Sequence, residues 1–178
     1  MVIKITYFMS KNWYRDVNKE CKQLAKKHGI EVWQVAGIIT ALSAQKKWDL
    51  NIKQAYQVLN GEGLTGLVSD HQLKTCERIL EGEHPLDVFA PESYKYRNFF
   101  LCITEPNDPD HVCVDTHMIN WYLNLHPHSK LQKVPIKRIF DSRPRYLIIQ
   151  DFIRKQAKAL GLLPMELQAI VWIDVRKK

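Results

Sequence analysis

Apolar side chains recur along most of this chain at steps of three and four, and glycine or proline stands where the pattern stops. Val32, Val35, Ala36, Ile39 and Leu42 form one such stripe; Trp48, Ile52, Ala55, Tyr56 and Leu59 form a second. That spacing puts the side chains on one face of an α-helix. Gly61, Gly63 and Gly66 then interrupt the chain. Ser69 followed by Gln72 has the form of a capping box, opening a helix that carries Leu73, Cys76, Ile79 and Leu80 and stops at Gly82. Pro91 precedes a helix with Tyr96, Phe99, Phe100 and Ile103, and Pro106, Asn107, Asp108 and Pro109 make a rigid polar loop. Near the start, Asn12 to Lys27 is helical and ends at Gly29. Ile149, Ile153, Ala157 and Leu160 build a helix closed by Gly161, and Pro164 opens a last one through Leu167, Ile170 and Val171. A charged, proline-containing segment from about Lys130 to Pro144 precedes these two. The alternating run Val2 to Tyr7 is the one strand candidate. The pattern predicts an all-α fold without internal repeats.

The chain has 178 residues, long enough for one domain or two small lobes with a buried core. Its 26 Lys and Arg against 19 Asp and Glu leave a net charge of +7, which points to a polyanionic partner, nucleic acid before membrane. No apolar run is long enough to span a bilayer, and the first residues lack the features of a signal peptide. A cytoplasmic protein with no membrane partner is expected. Cys21, Cys76, Cys102 and Cys113 lie far apart, so they are expected to be reduced and mostly buried, with no zinc ribbon and no iron–sulfur cluster. His126 and His128 have no carboxylate or cysteine at useful spacing, so no metal site is expected.

One stretch departs from the bland helical pattern. In "HVCVDTHMINWYL", residues 111 to 123, the apolar Val112-Cys113-Val114 runs straight into Asp115-Thr116-His117. Asp and His are rarely buried without partners. Asp115 can serve as a helix N-cap, accepting bonds from the next amides. A carboxylate in that place can also stabilise positive charge developing on a bound sugar. The two roles are compatible. His117 is expected to be a packed scaffold residue, and Trp121 and Tyr122 core.

"ALSAQKKWDLNIKQA" (Ala41 to Ala55), "KTCERIL" (Lys74 to Leu80) and "VDTH" (Val114 to His117) resemble, in the same order, three segments of helix-hairpin-helix DNA glycosylases of the endonuclease III type. "LQAIVW" (Leu167 to Trp172) is similar to their closing helix, and the likeness runs from about Val32 to Arg176. It implies a two-lobed helical fold, lobe one at about 31–113 and lobe two formed by about 1–30 with 114–178, divergent in lacking the iron–sulfur cluster. It also implies a DNA N-glycosylase, with or without a lyase step, acting as a monomer and without a cofactor on a base flipped out of duplex DNA. Asp115 matches the family's catalytic aspartate. Lys95, in "FAPESYKYRNFF" (Phe89 to Phe100), falls at the lysine that attacks the sugar, and Asn98 keeps the step to the asparagine beyond it. Gln45 matches the residue that enters the base stack; Lys46, Lys47, Ser93, Tyr94 and Arg97 complete the DNA-contacting set.

The turn departs from the family in one respect. Its glycines are replaced by Glu92, Ser93 and Tyr94, and residues other than glycine resist positive φ. Two other functions share the same scaffold: a phage-type enzyme that hypermodifies DNA bases, and a non-catalytic DNA-binding protein. Release of a base from DNA separates repair-type excision from both.

Overall fold

The computed structural model describes residues 11–44, 46–126 and 128–176, with the backbone alone at 175 and 176. Among these residues the only regular elements are helices, with no strand. The order is α1 (Trp13–His28), α2 (Val32–Leu42), α3 (Trp48–Asn60), α4 (Asp70–Leu80), α5 (Pro85–Val88), α6 (Tyr94–Thr104) and α7 (Thr116–Leu125). A single 3-10 turn (Lys130–Lys133) follows, then α8 (Ile136–Phe140), α9 (Arg143–Ala159) and α10 (Pro164–Arg176). The expected strand at Val2 to Tyr7 lies outside the described residues. No helix among those described is long and apolar enough to cross a membrane.

Contacts divide the chain into two compact units, 18–90 and 1–17 with 91–178. The sequence reading draws the lobe break near 113; the contacts put it after Ala90. The reason lies in α6, which is tied into the C-terminal unit: Asn98 Oδ1 accepts a bond from Gln150 Nε2 on α9, and Phe99 stacks on Trp13 at 6.3 Å.

In unit 18–90 the hub is α2, which packs against α3, α4 and α5. It is buried from Gln34 to Leu42, so its stripe became nearly a full circumference. Gln34 pays no penalty for this burial: its Nε2 donates to the carbonyls of Ile79 and Leu80 at the end of α4. The Ser69–Gln72 capping box forms as expected, and Gln72 Nε2 also donates to Ala41 O at 3.0 Å. Gly61 closes α3 in the left-handed conformation, φ 67°. Gly37 serves packing instead. A Cβ there would lie 2.5 Å from Pro85 Cγ, so the bare backbone is what admits α5. Helices α5 and α8 escape sequence detection because four or five residues are too few to show a period.

The other unit is built around α9 and α10, with α7 and α8 packed on them. Its core holds Val112, Val114, Met118 and Ile119, then Leu131 and Ile139, then Tyr146, Ile149, Ile153, Leu167 and Val171. The first turn of α1 joins it through Tyr14, whose hydroxyl donates to Gln168 Oε1 at 2.8 Å, and Arg15, which donates to the buried carboxylate of Glu166 at 2.7 Å. All four cysteines are free and buried.

Candidate active site

Asp115 is the N-cap of α7. Its backbone is extended, φ −107° and ψ −177°, and its Oδ1 accepts from Met118 N at 2.9 Å. The residue is only 8% exposed, because the three residues before it run through the core. Two side chains of α9 hold that lead-in. Tyr146 accepts a bond from Val114 N at 2.8 Å through its hydroxyl, and Gln150 Nε2 donates to Val112 O at 2.8 Å. Gln150 Nε2 also reaches Asn98 Oδ1 at 2.9 Å, and Asn98 Nδ2 donates to Tyr94 O at 2.7 Å. One network therefore ties the first turn of α6, the lead-in to Asp115 and α9 together.

Lys95 sits in that first turn of α6, half-buried. Its carbonyl accepts from the Cys113 thiol at a sulfur–oxygen distance of 3.6 Å. The thiol is pushed up to about 12, first by burial and then by the negative charge of Asp115, with the Lys95 ammonium opposing. Carboxylate and ammonium thus both act on one buried sulfur. The structure brings Asp115 and Lys95 to a common neighbour across 20 residues of chain. Cys113 itself stays protonated and is no nucleophile at neutral pH. Burial also keeps the Tyr146 phenol well above its ordinary range, with the Asp115 charge adding to the effect.

The glycine-free turn before α6 forms without left-handed backbone. Ser93 has φ −77° and ψ 57°, and Tyr94 N donates to Glu92 O at 2.8 Å. This is an inverse γ-turn, open to any L-residue. A different turn type therefore stands where the resemblance places a glycine-rich one, and it uses the Tyr94 amide within the turn. Ser93 caps α6 by its backbone, its carbonyl accepting from Arg97 N at 3.0 Å, and makes no side-chain cap bond. Tyr94 packs on Tyr146, ring centres 5.6 Å apart. Arg97 and Tyr94 of α6, with Arg143 and Tyr146 of α9, line a groove of about 450 Å3 whose wall includes Asn98 and Gln150. Neither Asp115 nor Lys95 lines it.

The remaining expected contacts fall in the other unit or outside the described residues. Gln45 lies outside them. Lys46 is half-buried, and its ammonium is held by Gln54 Oε1, whose amide in turn donates to Thr65 O. Desolvation lowers the Lys46 pKa, with Cys76 opposing. Lys47 is exposed and is the N-cap of α3, with no side-chain cap bond. The pair therefore begins a helix, where the dipole disfavours cations. His126 stacks on Tyr122 at 4.5 Å and packs edge-on against Phe152. Among the described residues, Glu105, Asp108 and His111 bring ligand atoms within 4.8 Å of one another. Asp108 Oδ1 is already occupied by the amides of Asp110 and His111.

Sequence reasoning missed Tyr146 and Gln150. Their signal was available: a glutamine and a tyrosine four residues apart on the face of α9 that carries Ile149 and Ile153, where every other group is apolar.

The model of a family of unknown function, DUF7178, matches residues 8–178. No curated protein and no solved structure matches the chain.

Proposed function

The chain belongs to the DUF7178 family, and we propose that it is a DNA N-glycosylase with a divergent, two-lobed helix-hairpin-helix fold. The observation that carries this reading is Asp115 on a buried helix N-terminus, with the Lys95 carbonyl bonded to the Cys113 thiol two residues before it. Breaking an N-glycosidic bond develops positive charge on the deoxyribose ring as the base departs with the bonding electrons. A carboxylate held in low dielectric stabilises that charge without reorganising. Asp115 is so held: its Oδ1 is fixed by Met118 N, and Tyr146 and Gln150 immobilise the residues before it. No cofactor is needed for this step.

The Lys95 amine, once deprotonated, displaces the base at the sugar's anomeric carbon, the glycosidic electrons and a proton leaving with the base. Opening of the ring C–O bond, with a proton passing from nitrogen to the ring oxygen, then gives an imine between protein and DNA, which opens a lyase route. Without that attack, water replaces the base and the product is an abasic site. Ser93, Tyr94 and Arg97 at the turn, with Lys46 and Lys47 in the other unit, are assigned to phosphate contact.

The test is incubation with duplexes carrying damaged or hypermodified bases, with products identified by mass. A released free base is the expected product. Asp115→Asn keeps the cap acceptor and the side chain's shape, so it should lower release at least a hundredfold, about 2.7 kcal/mol of transition-state stabilisation, while folding and DNA affinity persist. Full activity in that variant refutes the catalytic assignment. A base altered in mass but still attached marks a modifying enzyme instead.

A further inference from the structure

The positive charge of this chain is concentrated. Between Lys130 and Arg145 stand six Lys and Arg residues against one acid, Asp141, so this stretch carries five of the seven net positive charges. It is a built surface, not a loose tail. Leu131 and Ile139 are buried in the core of the C-terminal unit, and Val134, Ile136 and Phe140 pack against them. The cations fall between and on either side of these anchors: Lys130, Lys133, Lys137, Arg138 and Arg143 are exposed. None of the six pairs with a carboxylate among the described residues. Arg145 Nη1 donates to Arg138 O at 3.2 Å and fixes the junction of α8 with α9. Arg143 and Arg145 also occupy the first turn of α9, which has no acidic residue and no side-chain cap. Cations at a helix N-terminus are repelled by its dipole. An anion bound there relieves both charges.

We propose that this ledge, from the 3-10 turn through α8 to the start of α9, binds the phosphate backbone of duplex DNA. The choice of DNA rests on the glycosylase reading; the choice of a polyanion rests on the ledge alone. An anionic membrane fits less well, since interfacial helices insert apolar side chains and those of the ledge are turned into the core. Its residues are other than Lys46 and Lys47, and at Arg143 it adjoins the groove that Glu92, Tyr94 and Arg97 also line.

The test compares two triple variants that remove equal charge. One is Lys130→Gln, Lys133→Gln, Lys137→Gln. The other is Lys22→Gln, Lys26→Gln, Lys27→Gln, on exposed positions of α1. Binding to a fluorescent duplex is followed by anisotropy over a series of potassium chloride concentrations. Each lost phosphate contact lowers the slope of log affinity against log salt by about 0.9. The ledge variant should therefore lose about 2 to 3 of slope, and the α1 variant less than about 1. Equal losses in both variants, an unchanged ledge slope, or a preference for phosphatidylserine vesicles over duplex overturns the proposal. Base release by wild type with a ledge-independent slope removes the ledge and leaves the glycosylase reading standing. Ledge-dependent binding with no base released from any duplex does the reverse.

Discussion

Replacing Tyr146 with phenylalanine isolates the contact that positions the candidate carboxylate. The ring still fills its place in the core, where Tyr146 is 1% exposed, and only the hydroxyl is lost. That hydroxyl is the acceptor for Val114 N at 2.8 Å, and Val114 is fully buried, so water cannot replace it without opening the core. A buried donor left unsatisfied costs about 1–3 kcal/mol. For a chain of this size each kcal/mol lowers Tm by about 2–4 °C. A central value of about 2 kcal/mol predicts a fall of roughly 4–8 °C, with the protein still folded at room temperature. Because burial keeps the phenol protonated far above neutrality, the loss should be the same at pH 6 as at pH 8. Calorimetry measures the shift, and hydrogen exchange localises it: the Val114 amide should exchange at least tenfold faster in the variant. If the proposed chemistry is right, turnover falls as well, because Asp115 follows Val114 directly. An unchanged Tm together with full protection of the Val114 amide would refute the anchoring role.

Two further substitutions probe other parts of the molecule. In the presence of a hydride reductant, a Lys95 imine with DNA should be trapped as a covalent complex seen as one slow band on a denaturing gel. Lys95→Ala and Lys95→Arg should both abolish it, the second because a guanidinium stays protonated, whereas a band surviving in Lys95→Ala would assign the chemistry to another amine. Gly37→Ala should destabilise the unit 18–90 by about 1–3 kcal/mol in urea unfolding, because the new methyl meets Pro85 Cγ at 2.5 Å; a neutral or stabilising result would mean that α5 yields freely.

Much of the secondary structure was determined by the sequence alone, because its causes are local. The helices α2 and α3, the Ser69–Gln72 box and the Gly61 stop each depend on residues within four or five positions, and each formed as expected, but the face α3 buries is Asn51, Gln54 and Ala55, which shares only Ala55 with its apolar stripe. Asp115 as an N-cap belongs to the same class, since its partner is Met118. Partners 18 to 52 residues apart lie beyond any local rule. Lys95 and Cys113, Val114 and Tyr146, and Asn98 and Gln150 meet only because the core of the C-terminal unit packs α6 and α9 against the lead-in to Asp115. The turn at Ser93 shows the same limit in the backbone. A missing glycine excludes one conformation, but which of the remaining ones the chain adopts was decided by the helix it had to start and the core that helix had to reach. The charge of the 130–145 stretch was visible in composition; that it forms a ledge was not, because only Leu131 and Ile139, buried in the core, turn the intervening cations outward.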